Sequence, residues 1–107
     1  MQTVTIKIGR NKGQSRIWLE NMTLAKYGFN RGDAIAIDYY NEFTGREIHI
    51  HRVANSRYQV AGRNRRNKAI SIIDICNAQL TEFTRGATTA DVTYLQNHIT
   101  IKIGAQS

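Results

Sequence analysis

Residues 9–39 read GRNKGQSRIWLENMTLAKYGFNRGDAIAIDY, and this stretch carries the plan of the chain. Gly9-Arg10-Asn11-Lys12-Gly13 is a basic turn, because Gly and Asn punctuate a chain where its backbone reverses. Arg16-Ile17-Trp18-Leu19 follows as a short strand. Asn21 is a helix-capping residue type, and Met22 to Tyr27 fit about two turns of helix. Gly28 suits the left-handed residue that ends such a helix. Arg31-Gly32-Asp33 is a turn, and Ala34 to Tyr39 is a strand. Upstream, Val4, Ile6 and Ile8 alternate with polar residues at the period of a half-buried strand. Downstream, Asn41 to Arg46 is a hairpin loop containing Gly45, and Glu47 to Val53 alternates strictly as the returning strand.

Residues 62–95, GRNRRNKAISIIDICNAQLTEFTRGATTADVTYL, repeat this plan. Arg57 to Ala61 is a strand candidate, Gly62 to Asn67 a second basic turn, and Ala69 to Ile75 an apolar strand. Asn77 caps a short helix through Ala78, Leu80 and Phe83. Asp91 to Leu95 and His98 to Ile103 form a hairpin around Gln96-Asn97. Gly9-Arg10-Asn11 and Gly62-Arg63-Asn64 correspond at a spacing of 53, and Arg31-Gly32 and Arg85-Gly86 at 54. Order and spacing together predict an internal duplication within a single domain, 1–54 and 55–107, each a ββαββ unit. Either unit alone is too small for a core. The fold expected is mostly β with two short helices (α+β), the two units interlocking into a closed β-barrel about a pseudo-two-fold axis.

The string from Gln14 to Tyr39, with Gly28-Phe29-Asn30-Arg31-Gly32-Asp33 before an alternating hairpin, resembles the AbrB-type swapped-hairpin fold. Members of that family carry one ββαββ unit per subunit and interlock as homodimers on DNA. The resemblance implies a pseudo-dimer in one chain. Ile6-Lys7-Ile8-Gly9-Arg10-Asn11-Lys12-Gly13, Arg16-Ile17-Trp18-Leu19-Glu20 and Ile72-Ile73-Asp74-Ile75 are similar to the N-terminal accessory region of DNA cytosine methyltransferases carried by phages and other mobile elements. The catalytic domain of those enzymes has no counterpart here. Their catalytic loop needs a Pro-Cys pair, and the chain has no proline.

Charge is the strongest functional signal. Fifteen Lys and Arg against eight Asp and Glu give +7 on 107 residues. The surplus is confined to two stretches, +4 in residues 1–19 and +5 in residues 57–68, with −1 in each of the other two segments. Such a concentration points to a polyanion, most simply double-stranded DNA. Lys7, Arg10, Asn11, Lys12 and Arg16 from the first stretch, with Arg63, Asn64, Arg65, Arg66 and Lys68 from the second, are the candidate nucleic-acid-binding residues. Glycines at these turns let phosphates approach the backbone. About five neutralised phosphates would give a log–log salt slope of roughly −4 to −5.

The chain reads as a DNA-binding protein of a bacterial or phage mobile element, a regulator or an accessory to a DNA-acting enzyme. The alternative is a phage-type counter-defence inhibitor that binds a host nucleic-acid-handling complex. A monomer suffices, and a homodimer would extend the basic surface. One cysteine excludes an internal disulfide and fits a reducing, cytoplasmic setting. No apolar run approaches the roughly 20 residues of a membrane-spanning helix, and no signal peptide is expected. No enzyme activity, cofactor or metal is expected. His49 and His51 share a strand face, but a third ligand is missing, since His98 belongs to the other hairpin. Cys76 reads as a small buried residue and Trp18 as half-buried core. Of Tyr39 and Tyr40 one faces inward. Arg31 and Arg85 suit the C-terminal dipoles of the helices before them.

Overall fold

A computed structural model describes residues 1–43 and 45–104. In chain order the described elements are β1 (Gln2–Lys7), β2 (Gly9–Asn11), β3 (Gln14–Asn21), α1 (Thr23–Lys26), β4 (Ala34–Glu42), β5 (Gly45–Arg52), β6 (Tyr58–Gln59), β7 (Ala61–Arg65), β8 (Lys68–Cys76), α2 (Ala78–Phe83), β9 (Thr89–Leu95) and β10 (His98–Ile103). The chain is thus mostly β with two short helices. Thr44, inside the expected hairpin loop, and the last three positions of the second repeat lie outside the described residues.

Two antiparallel sheets face one core. One runs β1-β9-β10-β5-β4-β6 and the other β2-β3-β8-β7. The strand order interleaves the halves of the chain. β1 of the first half pairs with β9 of the second, and β6 of the second with β4 of the first. β5 pairs with β10 and β3 with β8 across the middle. In the β3–β8 ladder Ile17 faces Ile75 and Leu19 faces Ile73, with Trp18 opposite Asp74 at the centre. Exchanging the two strands maps one apolar pair onto the other, which is the local two-fold relation.

Alternation explains the core. Ile17 and Leu19 from β3, Ile73 and Ile75 from β8, Ile48 and Ile50 from β5, and Ile99 and Ile101 from β10 are all buried. Each contributes roughly 1.5–3 kcal/mol over an exposed side chain. The helices add Leu24 and Leu80. Their starts are local chemistry, since Asn21 Oδ1 accepts from the Leu24 amide at 3.0 Å and Asn77 Oδ1 from the Leu80 amide at 2.7 Å. α1 is a single turn of four residues, shorter than the expected 22–27. α1 packs on β8 and α2 on β3, so each helix sits on the other half's strand. The Asn97 amide at the β9–β10 tip donates to the Tyr27 carbonyl at 2.8 Å, docking that hairpin on the end of α1.

The expected closed barrel is not formed among the described residues. Both sheets stay open, with β1 and β6 as edges of one and β2 and β7 of the other. A one-residue corner in each half joins an edge strand of one sheet to an edge strand of the other. Ile8 separates β1 from β2, and Val60 separates β6 from β7. There the chain passes from one sheet to the other, as in packed sheets joined at corners. The Ile8 amide is taken by the Thr88 carbonyl at 2.9 Å and the Val60 amide by the Asp33 carbonyl at 2.9 Å. Both acceptors follow the Arg-Gly turns, so those turns hold the corners.

Candidate nucleic-acid interface

The two basic segments are not loops. Gly9-Arg10-Asn11 is β2, and Gly62-Arg63-Asn64 lies within β7, each an extended edge strand paired with its neighbour. The reversal falls on the residues after them. Lys12 and Gly13 have φ of 52° and 82°, and Arg66 and Asn67 have 51° and 67°. Two successive positive φ values define the turn whose twist matches a two-residue hairpin. The expectation of Gly/Asn loops is corrected accordingly. The expected turns, Gly9 to Gly13 and Gly62 to Asn67, contain both reversals but were drawn too long, because Gly, Arg and Asn also occupy an exposed edge strand.

The two hairpins point away from each other. β3 and β8 are antiparallel, so the tip at Lys12-Gly13 lies beyond one end of the four-stranded sheet and the tip at Arg66-Asn67 beyond the other. At roughly 3.3 Å per residue the tips stand about 35–40 Å apart, and the longest extent of the molecule is 40 Å. The second hairpin is longer, since eight positions separate Gly13 from the cap Asn21 and ten separate Asn67 from the cap Asn77.

Between the tips lies the outer face of the sheet. Arg16, Trp18 and Glu20 project from β3, Ile72 and Asp74 from β8, and Arg63 and Arg65 from β7, as their cross-strand partners require. Trp18 is therefore outward, at 40 % exposure, and not core. With period two, either Trp18 or both its neighbours Ile17 and Leu19 face inward, and here the two aliphatic residues do. The Arg16 guanidinium lies over the Trp18 ring at 4.2 Å, and the indole N–H donates to Glu20 at 3.0 Å.

Two of the candidate cations are already paired on this face. Arg16 makes two hydrogen bonds to Asp74, at 3.0 and 3.1 Å. Arg63 pairs with Glu20. The hydrogen bond from Arg63, then that from Trp18, holds the Glu20 carboxyl below the usual range. Asp74 raises Arg16 and Glu20 raises Arg63, each through its hydrogen bond first. Arg10 donates to the Gly13 carbonyl at 2.9 Å and braces its own turn. Among the described residues Lys12, Arg65, Arg66 and Lys68 make no ion pair, and all four are exposed. Asn11 and Asn64 are exposed within the hairpin strands. Lys7 stands apart from the rest, as the last residue of β1 in the other sheet. The structure therefore groups nine of the ten candidates on the two hairpins.

Sequence reading missed Arg31. Its turn is fastened to the Val60 corner by Gly32 N–H to Val60 O at 2.8 Å and Val60 N–H to Asp33 O at 2.9 Å. Its side chain crosses β7 at Gly62, and Arg31 joins Arg63 and Asn64 around a recess of about 240 Å³. The repeated Arg-Gly pair was the available signal, but it reads equally as a helix terminus.

The histidines also differ from expectation. His98 lies directly opposite His51, because β5 and β10 pair across the middle. His49 Nδ1 and His98 Nε2 are 2.8 Å apart, and His49 Nε2 is 2.9 Å from Glu47. The His51 ring stacks on His98 at 6.3 Å, and its Nδ1 is 3.8 Å from Asp38. Burial, then the neighbouring His49 and His51, pushes His98 below the ordinary histidine value. The third imidazole is thus present, yet among the described residues no group of three His, Cys, Asp or Glu side chains is set to hold a metal ion.

Cys76 is half-buried, with its Sγ 3.9 Å from the Asn11 carbonyl. Tyr39 turns inward against Phe83, with ring centroids 5.0 Å apart, and burial raises its hydroxyl to about 12. Tyr40 is exposed. Tyr39, Arg46, Glu82 and Phe83 line a second recess of about 480 Å³. Arg46 belongs to the scaffold, since it donates to the Phe83 and Arg85 carbonyls at the end of α2. No helix among the described residues is long and apolar enough to cross a membrane. No family model, no curated protein and no solved structure matches the chain.

Proposed function

We propose that the chain is a non-enzymatic, duplex-DNA-binding protein of a bacterial or phage mobile element, acting as a regulator or as an accessory to a DNA-acting enzyme. The observation that carries this reading is the placement of Lys12 and Arg66 at positive φ on the two hairpin tips. An L-residue there costs about 1–2 kcal/mol relative to the right-handed region, and Asn or Gly fits more cheaply. Backbone strain of this kind accumulates where function needs the side chain. Both tips spend it on a cation.

The spacing supports the same reading. Tips about 35–40 Å apart suit groove segments one helical turn apart, about 34–36 Å. The local two-fold of the β3–β8 ladder matches the dyad of a duplex. The interleaved strands support the swapped-hairpin resemblance, and a single chain supplies both halves, so a monomer serves as a pseudo-dimer.

Fluorescence anisotropy on a 20–30 base-pair duplex at two salt concentrations tests the proposal. Arg65→Ala, Arg66→Ala and Lys68→Ala together are expected to flatten the log–log salt slope by about 2.7. An unchanged slope, or no binding by the parent protein at 50 mM salt, overturns it. A nuclease-insensitive, stoichiometric protein partner would instead favour the inhibitor reading.

A further inference from the structure

The two hairpins differ in a way that the duplication hides. We propose that the recess between α1 and the second hairpin is a phosphate-binding site, with Arg31 as its principal ligand, and that nucleic-acid binding is therefore unequal between the two lobes. This rests on the duplex reading above and assigns the recess to a backbone phosphate.

Three observations build the site. The recess draws from both halves, with Arg31 and Asn30 from the first and Arg63, Asn64 and Ser71 from the second. Its volume, about 240 Å³, accommodates a phosphate group with bridging waters. Gly62 leaves room for Arg31 here, as a Cβ there would sit 3.0 Å from the Ile70 carbonyl oxygen, 3.1 Å from Arg31 Cδ and 3.2 Å from its Cβ, tight enough that a neighbour would have to shift. The main-chain bonds between the Arg31 turn and Val60 fix the start of that side chain, so its own rotamers are what binding must order. Arg63 Nε is committed to Glu20, which leaves the rest of its fork available.

The other lobe lacks the equivalent. Arg85 occupies the place of Arg31 at a spacing of 54, but its guanidinium donates to Glu82 at 2.8 Å. Aligning the caps Asn21 and Asn77 sets Lys26 of α1 against Glu82 of α2. The first helix thus presents a cation where the second presents the acid that engages Arg85. Among the described residues Arg31 makes no ion pair, whereas Arg85 does. Of the cations on the longer second hairpin, Arg63 lines this recess, while Arg65 and Lys68 pair with each other farther along the same two strands.

Arg31→Ala and Arg85→Ala form an internal control. On a 20–30 base-pair duplex, Arg31→Ala is expected to lose about ten-fold in affinity, the scale of one charge-assisted hydrogen bond, and about 0.9 in salt slope. Arg85→Ala is expected to stay within two-fold. Gly62→Ala, whose methyl presses on Arg31 and on the Ile70 carbonyl, should weaken binding in the same direction without removing a charge, with thermal melting to show that it folds. A second arm titrates pyrophosphate against the parent protein, following the amide signals of Gly62, Asn64 and Ser71 by NMR. Shifts that vanish in Arg31→Ala support the site even if the duplex fails to bind, which would sink the DNA reading alone. Equal losses for Arg31→Ala and Arg85→Ala, or pyrophosphate shifts that survive Arg31→Ala, overturn the proposal while leaving the duplex reading standing.

Discussion

Replacing Lys12 and Arg66 together by asparagine separates backbone strain from charge. Both residues sit near φ of 50°. Asparagine tolerates that region better, and relief of about 0.5–1 kcal/mol per site is expected from the 1–2 kcal/mol handedness cost. Summed over two distant tips, the gain is about 1–2 kcal/mol. For a domain of this size it raises Tm by about 4–8 °C. The same change removes two tip cations. Each phosphate contact contributes about 0.9 to the log–log salt slope, so the slope should flatten by about 1.8. With the salt-independent part unchanged, affinity falls about 200-fold at 50 mM and about 20-fold at 200 mM. Thermal melts and anisotropy titrations on the same preparation read both quantities. A higher Tm with unchanged DNA affinity would show that the tips face solvent only. An unchanged or lower Tm would refute the strain argument itself.

Acid should weaken the fold through His98. Its value is depressed in the folded state, so the unfolded chain takes the proton first as pH falls below about 6.5. Stability present above that value is lost as pH drops through the depressed one. Glu47, His49, His51, Asp38, Tyr40 and Lys102 share this sheet face with His98. Denaturant melts at pH 7.5 and 5.5, with an NMR titration of His98, check this, and a His98 midpoint at or above the ordinary value would contradict it. Asn77→Ala removes the cap on Leu80 and should cost about 1 kcal/mol, read by urea midpoint, and no loss would mean that the cap is redundant. Trp18→Phe should cost about 1 kcal/mol, because an outward ring gives up its exposed N–H bond to Glu20 and only part of its contact with Arg16. A loss of 3 kcal/mol or more, on the scale of a core aromatic truncation, would return Trp18 to the interior.

Local chemistry was legible and register was not. Asn21 and Asn77 announced both helices because a cap is made within four residues. Alternation in Glu47 to Val53 announced its strand for the same reason. Trp18 was misplaced because Ile17-Trp18-Leu19 is apolar throughout, and period two alone leaves open which face is buried. Packing resolved it in favour of two aliphatic residues over one ring. His98 was hidden for a different reason. Its neighbour His51 is 47 positions away, and only the pairing of β5 with β10 joins them. The hairpins show the limit most plainly. The Gly-Arg-Asn copies lie 53 apart but the caps lie 56 apart, so the repeat is out of phase with itself between those points. Spacing alone could not reveal which hairpin is longer, or that among the described residues Arg85 has an ion pair and Arg31 has none. The charge segments did locate both hairpins. Their ion pairs with Glu20 and Asp74 depend on cross-strand neighbours that no linear count contains.

The interleaved strand order has a consequence for how the chain is made. β1 is synthesised first, yet its partner is β9, with Gln2 aligned to Tyr94. At about 5–20 residues per second, the strand waits on the order of 5–20 seconds for its neighbour to be translated. Until then β3 lacks β8, β5 lacks β10, and the first basic hairpin has no sheet to stand on. A chain that stops within β8 or earlier therefore has neither sheet complete, and one that stops between β8 and β9 has only the four-stranded sheet.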